Sequence, residues 1–396
     1  MKILLAAASY ATSISGIQRH AINMARCLLL RPEISALHFV IAPWQCELAQ
    51  AACLPEDARL KLHIADINRS SLSRNNWYYR QLPKLASQLQ VELVHFSYPM
   101  PVNTAAFRCP TVVTLHDLYP YEIPMNFGFP KFLFNRIVLR QCLHGVDAIA
   151  CVSDATRMRL KQYAPFSVWQ KASRIYNCVA AEQDSPAQPP IAGWRKDPFL
   201  LCVAQHRKNK NIPTLIRAFD RLLRSDEIDP RLKLVVIGMG GPESDAIRHI
   251  VIASGLAGSV HFLEGIAEAE LQWCYRHCEA LVAPSLTEGF GLPVAEGLLA
   301  GCRIVCSDIP AHREIGEGHC LFVSLREYAV GALAAAIADA LNEPRREPIS
   351  LPQLSAPVLA DQYLALYRRV ATSPECTRNT QPTGSIHVAA SESGPL

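Results

Sequence analysis

The sequence predicts an α/β protein made of two halves, each a parallel sheet covered by helices on both faces. Short apolar runs alternate with amphipathic stretches of helix length, and strands separated by helices form parallel sheets. The alternation stops near residue 182 and restarts at 199. The chain has 396 residues, 50% of them apolar and 19% charged, which suits two cores of ordinary domain size.

In the first half, residues 1–7 read as a buried strand. The small-residue loop Thr12-Ser13-Ile14-Ser15-Gly16 follows, then a helix over 16–30. Further strands are expected at 37–42, 92–96, 111–115 and 147–152, with amphipathic segments at 75–89 and 131–143. Ser153 directly follows its strand and predicts an N-cap for a helix over 154–163. Residues 183–198 are rich in Pro and polar residues, carry no period, and read as a linker. The second half predicts strands at 199–203, 232–237, 260–263, 280–283, 303–306 and 320–323. Helices are expected at 212–223, 244–254 and 268–277. The domain boundaries are therefore 1–182 and 199–345. Residues 346–371 contain an amphipathic helix over 358–370, expected to pack back towards the first domain. Residues 372–396, rich in Ser, Thr, Pro and Gly, read as a disordered tail.

Composition excludes several classes. The 39 basic and 35 acidic residues leave a formal charge of +4, too small for a surface devoted to nucleic acid. The 14 cysteines are scattered without a Cys-x-x-Cys pair, so the expectation is reduced, buried thiols and no zinc site. No stretch of about 20 apolar residues offers a membrane span. A cleaved leader is the alternative to a buried first strand, and the alternation that follows favours the strand.

The most informative stretch is PSLTEGFGLPVAEGLLAGCRIVCSDIPAHRE, residues 284–314. An apolar strand runs into a loop with Gly289 and Gly291, then into a helix opened by Pro293, which suits a first turn. The glycines allow close backbone approach to a ligand, and the helix terminus favours phosphate. Glu288 sits in the loop and Glu296 is expected in the first helical turn, where a carboxylate can accept from vicinal hydroxyls. The alternative is that Glu296 merely complements the helix dipole. A second stretch, FLLCVAQHRKNKNIPTLIRAF, places His206, Arg207, Lys208 and Lys210 between a strand end and a helix. That suits a diphosphate; an ordinary solvated basic loop is the alternative. His116-Asp117 follows the strand TVVTL, where a histidine could meet a sugar hydroxyl or serve structure alone.

Other chemistries lack their signatures. In VVIGMGGPE, Glu243 stands where a dinucleotide fingerprint needs a small residue, which disfavours NAD. There is no Walker A lysine motif, no Gly-x-Ser-x-Gly elbow, and no Asp-x-Asp at a strand end, which disfavours a metal-dependent transferase.

In combination these segments resemble family 4 retaining glycosyltransferases (glycosyl transferases group 1). EGFGLPVAE is similar to that family's Glu-x7-Glu motif. SGIQRHAINMARCL resembles its first Gly-rich loop and helix, and TVVTLHDLYP its His-Asp segment. VDAIACVSDATRMRL, VAQHRKNKNIPTLIRAF and SDIPAHREI match further family segments in the expected order. The resemblance implies the GT-B fold, two Rossmann-like doubly wound parallel-sheet domains facing across a cleft. It also implies transfer of a hexose from a nucleotide-diphosphate sugar, with no cofactor. Glu288 would contact the donor sugar and His116 would sit near it, the two being catalytic in the sense of orienting that sugar. The backbone around Gly289, Phe290, Gly291 and Leu292 would hold sugar and diphosphate. Glu296 would bind the ribose, Lys210 would neutralise the diphosphate, and Gly16 would let the first loop close over it. The sequence departs from the family at Ala204 and Gln205, where Gly and Arg are usual. Arg207 or Lys208 would supply the missing charge. Cys178 stands for a usual Gly, and Ser15-Gly16 for a Gly pair.

The implied partners are a nucleotide sugar and a glycan or lipid-linked acceptor of surface polysaccharide biosynthesis, in the cytoplasm. Residues 131–174 hold eight basic and two acidic residues, which suits peripheral contact with anionic lipid; a solvated helix face is the alternative. A GT-B epimerase, or a scaffold that binds without catalysis, are the competing readings. Transfer lost on mutation of Glu296 separates an enzyme from a scaffold.

Overall fold

Two all-parallel sheets carry the molecule. The computed structural model describes residues 1–11, 16–46, 54–179, 189–190, 197–225, 228–326 and 328–372. The first sheet has seven strands: β1 (Lys2–Ala6), β2 (Ala36–Ile41), β3 (Leu60–Ile64), β4 (Leu93–Phe96), β5 (Thr111–Leu115), β6 (Ala148–Cys151) and β7 (Ala172–Arg174). Their order is β3-β2-β1-β4-β5-β6-β7. The second has six: β8 (Phe199–Val203), β9 (Lys233–Ile237), β10 (Val260–Leu263), β11 (Ala280–Ala283), β12 (Ile304–Ser307) and β13 (Leu321–Val323), in the order β10-β9-β8-β11-β12-β13. Each sheet reverses its winding once, between β1 and β4 and between β8 and β11. The crevice beyond the strand ends at such a point is where ligands bind in doubly wound sheets.

The inner strands are apolar on both faces because helices cover both faces. Every residue of β2, β4, β5, β6, β11 and β12 is buried, with no alternation between core and solvent. The edge strand β3, with exposed Lys61, Leu62 and Ile64, is one of two that the sequence reading missed. The other is the three-residue edge β7. β7 is short, and β3 is half-solvated and alternates apolar with polar residues, so neither leaves a continuous apolar run. The segment expected as one helix over 75–89 is helical from Ser71 to Gln88 but changes pitch, with a five-residue turn at Trp77–Gln81. Pro83 follows at once; its missing N–H and its ring disrupt a regular ladder. Helices Pro310–Gly316 and Ala329–Asn342 have no counterpart in the sequence reading.

Helix Ala356–Ala371 lies against helix Gly16–Leu29 of the first domain. Arg31 makes a two-point pair with Asp361 at 2.7 and 2.9 Å, and the buried Tyr367 hydroxyl lies 2.6 Å from His95 Nδ1. The 12 described cysteines are free thiols. Among the described residues, no helix is long and apolar enough to cross a membrane. Most of the expected linker 183–198, loop residues 12–15 and the tail beyond 372 lie outside the described residues.

Candidate functional site

The reversal point of the second sheet assembles most of the residues singled out above. β8 ends at Val203 and leads to a short 3-10 turn, Lys208–Lys210. Asn211, in the left-handed region at φ +53°, turns the chain into helix Ile212–Arg224. β11 leads into the loop that carries Glu288. Buried Asn209 joins the two loops: its carbonyl accepts from Leu286 N–H at 2.7 Å. Lys210 Nζ then stands 2.5 Å from Glu288 Oε1. The same oxygen accepts from Ser285 Oγ at 2.7 Å, and Tyr119, from the first domain, donates to Oε2 at 3.3 Å.

Glu288 is only 7% exposed. Burial alone pushes its carboxyl up, but the Lys210 charge, a His312 contribution and the bonds from Lys210 and Ser285 together hold it below the usual range. Asp117 lacks such support. Burial pushes it up to about 6, with Glu122 and Glu288 adding to the rise, while the Tyr119 N–H bond and the Arg207 charge offset part of it. Arg207 is half-buried and its charge is felt at Asp117, whereas Lys208 is exposed and reaches Met125 Sδ at 3.7 Å. His206 turns away: it is fully buried and lies 2.9 Å from Ser244 Oγ.

Gly291, at φ +94°, opens helix Leu292–Leu299, with Pro293 in its first turn. A Cβ there would lie 3.0 Å from His312 Cδ2. The N–H groups of Phe290, Gly291 and Leu292 donate to no acceptor among the described residues, so a cluster of donors meets the positive end of the helix. Phe290 is buried against Tyr176, ring centroids 5.8 Å apart. Glu296 lies one residue beyond the first turn, not in it as expected, so dipole complementation does not account for it. It accepts from Tyr275 OH at 2.6 Å and pairs with Arg19 at 3.2 Å. Burial leaves its carboxyl above the usual range despite both partners.

Gly289 also lies at the contact between the domains. Its closest neighbour is backbone of the first domain: a Cβ would collide with the His116 carbonyl oxygen. Its own carbonyl accepts from Ser153 Oγ and, at 2.9 Å, from Thr156 Oγ1. Arg159 donates to the Glu288 carbonyl at 2.9 Å and pairs with Glu122 at 3.1 Å. Glu314 completes this contact by accepting from the N–H groups of Asp154 and Ala155, at 2.7 and 2.8 Å. Helix Asp154–Tyr163 is thus capped by its own Ser153 and by a carboxylate from the second domain.

His116 Nε2 lies 2.8 Å from the Ser97 carbonyl, which requires an N–H there and leaves Nδ1 as an acceptor. Burial lowers its imidazole to about 4, so the ring is neutral near pH 7. Gly16 is the exposed first residue of its helix, and nothing among the described residues lies within 4 Å of the position a Cβ would take. Sequence reasoning missed Tyr119, Thr156, Arg159 and Tyr275 as partners. Each sits on an ordinary helix or loop, and no local pattern distinguishes it.

Known proteins agree with this architecture. Residues 14–183 match the family model for Glycosyltransferase Family 4, and residues 184–350 that for Glycosyl transferases group 1. The O-antigen chain mannosyltransferase RfbU of Salmonella typhimurium is 27% identical over 248 residues, 62% of this chain and 63% of its own length. The O-antigen chain mannosyltransferase B of Escherichia coli is 23% identical over 80% of this chain and 84% of its own. The crystal structure of Anabaena HepE in complex with UDP and glucose superposes with a TM-score of 0.62 at 16% identity, covering 93% of this chain and 95% of that one. With both sheets, the strand order and the two family models covering residues 14–350, the chain belongs to glycosyltransferase family 4, the glycosyl transferases group 1, and has the GT-B fold.

Proposed function

We propose that this protein is a retaining hexosyltransferase that moves a mannose- or glucose-type sugar from a nucleotide-diphosphate donor to a glycan or lipid-linked acceptor of surface polysaccharide biosynthesis. The observation that carries this is the Lys210–Glu288 pair, placed beside the unpartnered N–H groups at the start of helix Leu292–Leu299. Breaking the anomeric bond puts negative charge on the departing diphosphate. Lys210, Arg207 and the helix terminus would supply positive charge at that position and stabilise the departing group. This is the reason to propose a reaction that proceeds without a metal.

The same arrangement suits a reaction with retention. Glu288 is held by three donors, which suits orienting a sugar hydroxyl better than attacking carbon. His116 Nδ1 is free to accept from another hydroxyl of that sugar. The acceptor would attack the face from which the diphosphate departs, and the phosphate would take its proton. The protein's contribution is position and charge.

The test is thermal unfolding with UDP, GDP, ADP, dTDP and CDP, with and without EDTA. A nucleotide at 100 times its Kd adds about 2.7 kcal/mol, a rise of roughly 5–10 °C for domains of this size. One nucleotide should stabilise the wild type equally with EDTA and fail with Glu296→Ala. Stabilisation abolished by EDTA would overturn the metal-independent reading, and no response to any nucleotide would overturn the donor class.

We also propose that the first domain works against an anionic membrane surface, at its inner face. Phe129 is 81% exposed, and Leu133, Phe134 and Ile137 form an exposed apolar stripe on helix Lys131–Gly145. A cavity of about 290 Å³, lined among others by Arg140, His144, Tyr163 and Pro165, joins that helix to the corner where Phe166 is 69% exposed. Residues 123–146 and 155–171 contain no acidic residue, so cations flank an apolar surface, the complement of anionic lipid. The full chain should co-sediment with phosphatidylcholine vesicles only when they contain phosphatidylglycerol, and Phe134→Ser with Ile137→Ser should release it. Equal binding to both vesicles, or none to either, would exclude this surface.

A further inference from the structure

The two domains are tied at one more point, and that tie lies on a substrate position. Arg19 belongs to the first turn of helix Gly16–Leu29, in the first domain. Its guanidinium crosses the cleft and holds two carboxylates of the second domain, Glu296 at 3.2 Å and Glu268 at 2.8 Å. A cation in a first helical turn faces the positive end of its own helix dipole. Arg19 is therefore held in place by the opposite domain and not by its own helix.

The two oxygens of the Glu296 carboxylate have different partners. Tyr275 is fully buried and bonds Oε2 from behind, at 2.6 Å. Arg19, one-third exposed, covers Oε1 from the cleft, leaving the Glu296 side chain 10% exposed. A ribose approaching this carboxylate from the cleft meets Arg19.

We propose that Arg19 is a built-in occupant of the ribose position: it pairs with Glu296 and yields that carboxylate to the nucleotide's 2′- and 3′-hydroxyls, withdrawing to Glu268. Donor binding thereby exchanges an interdomain ion pair for contacts to the nucleotide. This rests on the reading of Glu296 as the ribose acceptor. Arg19 acts through Glu296 and is a positioning residue.

The experiment is calorimetric titration of the full chain with the nucleoside diphosphate that stabilises it, and with its 2′,3′-dideoxy analogue. The variants are Arg19→Ala, Glu268→Gln and Glu296→Ala. A partly exposed ion pair that must break on binding weakens that binding by about fivefold at most. Arg19→Ala should therefore tighten the ribonucleotide by about threefold to fivefold and leave the dideoxy analogue unchanged. Glu268→Gln, which leaves Arg19 nowhere to withdraw, should weaken the ribonucleotide alone. Arg19→Ala weakening both ligands alike would overturn the proposal, because Arg19 would then bind phosphate. Glu296→Ala leaving the ratio between the two ligands unchanged would instead remove the ribose assignment, a failure separate from that of Arg19.

Discussion

Lys210→Ala is expected to lower kcat/KM for sugar transfer by about 100-fold to 1,000-fold, the usual effect of removing one preorganised group from a developing negative charge. The loss should fall mainly on kcat, because the diphosphate gains charge as the anomeric bond breaks and Lys210 then matters most. A second consequence concerns Glu288. In the wild type its carboxyl is depressed although burial pushes it up, and Lys210 supplies the leading opposing influence. Without Lys210, burial prevails and the carboxyl rises above its unfolded value of about 4.3. The depressed wild-type group contributes stability above that value, lost as pH falls through the folded pKa. In the variant the sign reverses: the contribution is present at low pH and lost as pH rises. Hence the stability gap between variant and wild type should be widest at neutral pH and close on acidification, and the acid limb of the residual activity should move to higher pH. Rates against pH, with denaturant melts at matching pH, check both. An unchanged acid limb would mean that Lys210 does not set the state of Glu288.

The contrast between Glu288 and Gly289 shows how far such a site is legible in sequence. The second sheet was readable because its strands are short apolar runs between helices with clear starts; β8, β10 and β11 lie where the periodicity puts them. The pairing of Lys210 with Glu288 crosses 78 residues, yet it follows from the fold, since both segments leave neighbouring strands at a reversal point. What sequence could not show is which close approaches occur between domains. Gly289 reads as a glycine that makes room for a ligand, and the structure puts the His116 carbonyl there. Arg159, Thr156 and Tyr119 carry no signal, because each acts through a contact more than 100 residues away that no local pattern encodes. Glu296 stands out by its spacing, whereas its partner Arg19 reads as part of the first helix only. The edge strand β3 escaped because it alternates Leu60-Lys61-Leu62-His63-Ile64 and lacks the continuous apolar run of the inner strands, and β7 because it is only three residues long.

Gly289→Ala tests the interdomain contact with a single methyl group, and is expected to reduce kcat/KM by about 100-fold while changing nucleotide affinity by only about twofold to threefold. The obstacle is steric. Gly289 does not adopt a positive φ, so alanine fits the local backbone, but its Cβ would run into the His116 carbonyl oxygen. Both atoms belong to backbone that is tied down, by Ser153 and Thr156 on one side and by the β5 strand on the other, so neither can yield by a rotamer change. The domains must separate instead, by something like an ångström. That displaces His116 and Tyr119 from Glu288, and a misplacement of about 1 Å between reacting groups costs about 100-fold. The nucleotide contacts proposed for Lys210, Glu296 and the start of helix Leu292–Leu299 all lie within the second domain, which is why binding should survive. Steady-state transfer rates, nucleotide titration and small-angle scattering measure the three effects, with the ligand-bound variant expected to scatter as a more open particle. Wild-type transfer by Gly289→Ala would show that the approach of Gly289 to His116 is not part of the reacting state, and loss of nucleotide binding in step with transfer would place the damage inside the second domain.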